Sequence, residues 1–230
     1  SMTIIEHLEE LRMRLVWCLG AIAIGSFIGW FLTPTVIEHA KVPLLGKADF
    51  ISLTVFGAFV LNIKMAFFLG ICISMPMTLY QVWSFVAPGL TRNEKRYARP
   101  FVALGSALFI AGAAVGFFIF PLGVSFALTF NTGLQIKPTI EANGYITFIG
   151  TIMVLFGITF ELPVFMVFLS LIGLLSSRML AQRRRLAFVV IFIVSTLITP
   201  GADPVSPIVL GVMLCGLYEM GVWLTRAVGR

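Results

Sequence analysis

From Pro100 to Phe120 the chain runs 21 residues without a charged side chain. A helix rises about 1.5 Å per residue, so roughly 20 residues cross a hydrocarbon core of about 30 Å. Runs of this kind recur along the whole sequence, and they restrict the fold severely. In lipid every backbone amide must find its partner inside the protein, which a helix achieves segment by segment. Charged residues are 11% of the chain and hydrophobic ones 59%, whereas soluble domains carry about 25% charged residues. The expected fold is all-α and membrane-embedded, one integral domain over residues 1–230.

Six spans are predicted, over about 15–32, 56–80, 100–120, 145–175, 186–199 and 205–224. Before the first, residues 3–14 have the apolar spacing of a short amphipathic helix, with Thr3 and Glu6 at capping-box distance. The mixed-charge start and the 18-residue apolar run after it predict a retained span, not a cleaved signal. Thr33–Phe50 and Pro121–Gly144 read as loops on one side of the membrane, the first with a short helix over Val36–His39. Ser176–Arg185 reads as a basic loop on the other side. The fourth span is too long for a straight crossing and should bend at Pro163; Pro76 should kink the second. Span five has 14 residues before Pro200. That is about 21 Å of helix, so spans five and six should be short and the bilayer thinned beside them.

Twelve of the 16 Lys and Arg residues fall on the side of the termini and three on the other, with Lys64 inside span two. Basic bias marks the cytoplasmic side, so both termini should be cytoplasmic. Trp17, Trp30, Trp83 and Trp223 lie near span ends, as an aromatic belt requires. Gly25 and Gly29, and Gly112 and Gly116, have the four-residue spacing that lets helices approach closely, here most simply within the bundle. The three cysteines lie in apolar runs without metal-ligand spacing. No phosphate-binding loop, metal cluster or nucleophile–base pair is present in the sequence, which argues against an enzyme and against any cofactor.

Five carboxylates invite a role. Glu161 lies near the centre of span four, where a charge costs roughly 2.5–3.5 kcal/mol. It is either a polar contact or protonatable site, or a neutral group hydrogen-bonded to Thr159 or Thr196. Glu94 sits among Arg92, Lys95, Arg96 and Arg99. Thr91 and Glu94 form a capping box before span three. Equally, Glu94 with Glu9 and Glu10 could make an acidic site for a guanidinium, which a carboxylate binds in bidentate fashion. Glu10 also has an i,i+4 partner in Arg14. Glu219 can snorkel or pair with Arg226.

The chain resembles the TatC family of the twin-arginine protein translocase. The similarity runs through His7–Leu15 (HLEELRMRL), Leu79–Leu90 (LYQVWSFVAPGL), Asn93–Arg96 (NEKR), Phe160–Pro163 (FELP), Thr199-Pro200 with Asp203, and Glu219–Val222 (EMGV). The resemblance implies a receptor core that binds twin-arginine signal peptides of folded proteins and works with the proton-motive force. It implies single-span partners of the TatA/TatB type, self-association in the complex, and a bacterial or archaeal cytoplasmic membrane. It carries a signal-peptide patch onto Glu10, Arg12, Phe85 and Glu94, with Glu9, and a partner-helix role onto Glu161 and Asp203. Pro43 matches an outside-loop proline. The alternative from the residues alone is a proton-coupled small-solute transporter using Glu161, although such transporters usually show inverted repeats and none is visible here.

Overall fold

A computed structural model describes residues 4–44, 48–86, 98–133, 138–199 and 205–227. Glu94, Asp203 and the capping pairs Thr3/Glu6 and Thr91/Glu94 lie wholly or partly outside these residues. The described chain is helical apart from two three-residue strands and short connections.

Helix α1 runs unbroken over Ile4–Lys41. The amphipathic segment, span one and the first part of the expected loop are therefore one element, passing through Pro34. A proline inside a helix frees a carbonyl one turn earlier, and in membranes neighbouring Ser or Thr hydroxyls commonly restore the pairing. At Pro34 the carbonyl so freed is that of Trp30; one position earlier Thr33, fully buried, donates its hydroxyl to the Gly29 carbonyl at 3.0 Å, a side-chain bond that doubles the helical one there. The helix ends in a 3₁₀ turn, Val42–Leu44. Helix α2 spans Gly57–Val86, continuing through Pro76 beyond the predicted end at Tyr80. Helix α3, Ala98–Gly133, passes Pro121 and takes up much of the second expected loop.

What remains of the two outer loops forms a sheet. Strand β1 (Asp49–Ile51) pairs in parallel with β2 (Thr139–Glu141), Asp49 opposite Thr139 and Ile51 opposite Glu141. Each strand feeds a helix that enters the membrane from the same side, α2 after β1 and α4 (Ala142–Phe160) after β2, so parallel pairing is the natural direction. Glu141 caps α4, its carboxylate accepting the Asn143 and Gly144 amides. The Tyr145 hydroxyl, from the first turn of α4, donates to the Ala40 carbonyl at 2.6 Å. The outer ends of α1 and α4 are thereby joined.

The fourth span breaks where expected. Helix α4 stops at Phe160 and α5 (Leu162–Leu171) starts again with a proline in its first turn. Pro163 has no amide to offer the Thr159 carbonyl, and Glu161 instead donates its N–H to the Ile158 carbonyl at 3.1 Å. Gly173, with φ +79°, lies two residues past the end of α5, a conformation glycine adopts at little cost. The basic stretch after it is partly helical, not a loop: α6 covers Ser177–Gln182, capped by the Ser176 hydroxyl. Helix α7 spans Arg184–Ile198 and α8 Val205–Ala227.

Five helical segments are long and apolar enough to cross a membrane: Ile5–Lys41, Gly57–Val86, Arg99–Phe120, Ala142–Leu171 and Val205–Ala227. Span five of the six expected corresponds to α7, whose 15 residues fall short of that length. Close helix packing explains the glycine spacing. A Cβ on Gly25 would lie 2.6 Å from the Gly70 carbonyl oxygen, and one on Gly112 would lie 2.6 Å from that of Phe156. Both motifs thus join neighbouring helices of the same chain. Trp83 departs from the belt pattern. It is 4% exposed, packed among Phe101 and Phe168, while Trp17, Trp30 and Trp223 remain exposed. Lys64 is half-buried and donates to the Thr147 hydroxyl of α4 at 3.1 Å.

Candidate functional site

The start of α1 lies against the end of α2. These two elements bring together part of the carboxylate patch. Glu10 is held by Arg14 one turn later: Arg14 Nε donates to Glu10 Oε1 at 3.0 Å, and Nη2 donates to the same oxygen. The third guanidinium nitrogen used, Nη1, donates to Gln81 Oε1 on α2 at 3.1 Å. Gln81 is 7% exposed, so the guanidinium is anchored from both helices. This is the i,i+4 pair expected from spacing, extended across the helix interface. Glu10 Oε2, by contrast, is buried and accepts no hydrogen bond among the described residues.

His7 sits above that oxygen. Its Nδ1 is 3.9 Å from Glu10 Oε2, and its ring is stacked on Phe85 with centroids 4.3 Å apart and planes 17° from parallel. Beside this contact an open groove of 380 Å³ is lined by Glu6, Glu9, Glu10, Met13, Arg14, Trp17 and Gln81. Three glutamates with a single arginine leave the groove acidic at neutral pH. Glu9 and Glu10 therefore share one concavity, and Glu10 and Phe85 share His7. Arg12 is exposed on α1 and does not line the groove. Pro43 lies in the 3₁₀ turn after α1, at the opposite end of that helix.

His7, Arg14 and Gln81 are members that the sequence reading did not assign to the site. Arg14 and Gln81 had a visible signal. Arg14 is spaced to meet Glu10, and Gln81 is a polar residue in an apolar helix, one turn before Phe85. His7 carries no local signal, because its partner Phe85 is distant in sequence.

Glu161 occupies the break between α4 and α5. Its Oε1 is buried without a hydrogen-bond partner among the described residues. Neither threonine considered above serves it: the Thr159 hydroxyl donates to the Phe156 carbonyl and that of Thr196 to the Phe192 carbonyl. The two threonine hydrogen bonds considered for Glu161 are therefore not formed. Room for the carboxylate comes from α3, where Gly105 has no side chain; a Cβ there would stand 2.9 Å from Glu161 Oε2. Glu161 also lines an open, almost wholly apolar groove of 440 Å³ with Phe165, Val190, Val194 and Leu214, between α4–α5 and α7–α8. Nothing in this groove is a candidate for bond-making chemistry. One carboxylate in an apolar trough is suited to recognising a polar group on an apolar partner.

Glu219 pairs with Arg184, not with Arg226: Arg184 Nη2 lies 3.0 Å from Glu219 Oε2, joining α7 to α8. Close by, the Tyr218 hydroxyl donates to the Leu180 carbonyl at 2.8 Å, tying α8 to α6.

Comparison with known proteins supplies the family. The family model for Sec-independent protein translocase protein (TatC) matches residues 6–212. A TatC protein of Deinococcus radiodurans is 34% identical over 234 residues, covering 98% of this chain and 86% of the relative. One from Helicobacter pylori is 37% identical over 224 residues, covering 96% and 87%. Two crystal structures of the twin arginine translocase receptor TatC superpose with TM-scores of 0.77 and 0.82. Their identities are 30% and 32%, and they cover 98% and 96% of this chain. With its helical membrane fold, broken fourth span and near-complete match in length, the chain belongs to the TatC family.

Proposed function

We propose that this chain is the receptor core of a twin-arginine translocation system, binding the signal peptides of folded proteins at the α1–α2 groove. The protein is a multi-pass cytoplasmic membrane protein of a transport family, not an enzyme. The observation that carries the site is Glu10: a carboxylate at the membrane face, with one oxygen fixed by Arg14 and the other without a hydrogen bond. Such a group attracts a guanidinium, whose N–H donors match carboxylate geometry. The basic bias of the loops supports a cytoplasmic position for this end of the chain. The same orientation puts both termini in the cytoplasm, with α7 counted as a short fifth crossing of six.

Glu94 and Arg12 complete the patch in this reading. Glu161, with Asp203, serves single-span partners of the TatA/TatB type, a partner helix lying in the apolar groove and its polar residue meeting the carboxylate. Self-association of the receptor and coupling to the proton-motive force belong to the same proposal.

The test is co-purification or crosslinking with a signal peptide carrying Arg-Arg and a matched peptide carrying Lys-Lys. Preferential recovery of the Arg-Arg peptide, reduced by Glu10→Ala and by Glu94→Ala, is expected. Equal recovery of both peptides, unaffected by either change, refutes the assignment.

A further inference from the structure

His7 lies at the edge of the site, against the face of Phe85. Its imidazole is a flat, nitrogen-bearing ring, stacked on the Phe85 face at 4.3 Å and turned so that Nδ1 points towards Glu10 Oε2. At 3.9 Å the nitrogen is too far to hydrogen-bond, and the oxygen stays buried and unpaired beside it. Leaving an acceptor in that condition costs free energy. Arg14 does not relieve it, because both of its contacts go to Oε1 and its remaining bond goes to Gln81. The arrangement is therefore complete on one edge of the carboxylate and incomplete on the other.

We infer that His7 holds the place of one arginine of the signal peptide: the incoming guanidinium displaces the imidazole, stacks on Phe85 and donates to Glu10 Oε2. A guanidinium meets both requirements at once. It is planar, stacks on aromatic faces and carries its donors in the plane. An ammonium has no flat face to lay on Phe85, so a lysine gains less from the exchange. His7 is thus a specificity-determining residue that the peptide must move aside. The Arg14–Gln81 pair keeps Glu10 in position while that happens. The inference rests on the receptor reading above, and it assigns a place to one arginine only.

Peptide binding to the purified full-length chain in detergent distinguishes the two. The probes are fluorescent peptides with Arg-Arg or Lys-Lys. His7→Ala removes the competing stack and should tighten Arg-Arg binding by about threefold to tenfold, on the scale of one aromatic pair. Lys-Lys binding should change less, so the ratio between the peptides rises. His7→Phe keeps a ring on Phe85 without a nitrogen and should weaken Arg-Arg binding. Adding Phe85→Leu to His7→Ala should abolish the gain. Unchanged or weaker Arg-Arg binding by His7→Ala, with the wild-type preference for Arg-Arg intact, overturns the His7 inference and leaves the receptor reading standing. So does a gain that survives Phe85→Leu. A wild-type chain that binds both peptides equally removes the receptor reading itself and the inference with it.

Discussion

The Glu161 carboxylate rests where a side chain at position 105 would be: a Cβ on Gly105 would stand 2.9 Å from Glu161 Oε2 and 2.8 Å from Leu79 Cδ1. Gly105→Val should therefore force both side chains aside, at a cost of about 1–3 kcal/mol. In a double-mutant cycle with Glu161→Ala the two changes should fail to add, because one of the clashing groups is gone; a coupling of about 1 kcal/mol is expected. Thermal unfolding in detergent of the four proteins measures it.

The crossing of α1 and α2 is less forgiving. A Cβ on Gly70 would lie 2.6 Å from the Ser26 backbone nitrogen, and one on Gly29 would lie 2.8 Å from the Ala66 carbonyl oxygen. Backbone cannot step aside as a side-chain tip can, so the helices must separate. Gly70→Leu should destabilise by about 3 kcal/mol. It should also weaken Arg-Arg peptide binding, since Gln81 and Phe85 are carried by the displaced helix. Unfolding midpoints and the peptide assay report the two effects separately.

The cap of α4 predicts a dependence on pH. Backbone amides, that of Gly144 first and then that of Asn143, hold the Glu141 carboxyl below the usual carboxylate range, with Lys64 adding in the same direction. A group with a lowered folded value stabilises above its unfolded value, and that contribution is lost as pH falls through the folded one. Glu141→Ala should thus lower the melting temperature at neutral pH. The gap to the wild type should close in acid. Melting curves across an acid-to-neutral series test the direction.

Arg184 and Glu219 form a pair that is about one-third exposed on each side. Solvent screening limits such pairs, so a coupling of only about 0.5–1 kcal/mol is expected from a double-mutant cycle with alanine at each position. It should shrink at 1 M salt, where screening extends to about 3 Å.

Much of the architecture was legible because it depends on local chemistry. Charge-free runs marked the crossings, Pro163 marked the break, and the glycine spacing marked the close contacts. The loop boundaries were not legible. Pro34 and Pro121 read as stops, yet α1 and α3 continue through them. At Pro34 the neighbouring Thr33 hydroxyl contributes a bond to the preceding turn. Strands of three residues leave almost no pattern, and β1 and β2 find each other only because the helices bring them together. The same distinction holds at the site. Glu10 and Arg14 are one turn apart and were readable as a pair. His7 with Phe85, and Arg184 with Glu219, depend on helix packing that no spacing encodes.

The β1–β2 ladder has a mechanical meaning. Its strands connect residues some ninety positions apart and lie at the heads of α2 and α4, while Tyr145 pins the top of α1 to α4. These ends cannot spread without rupturing hydrogen bonds, so α1, α2 and α4 behave as a stapled frame. At the far margin α7 buries a single residue, Ser195, and packs chiefly on α8 through apolar side chains. That margin can slide at the cost of side-chain contacts alone. Any widening of the molecule in the membrane plane would begin there, next to the trough that Glu161 lines.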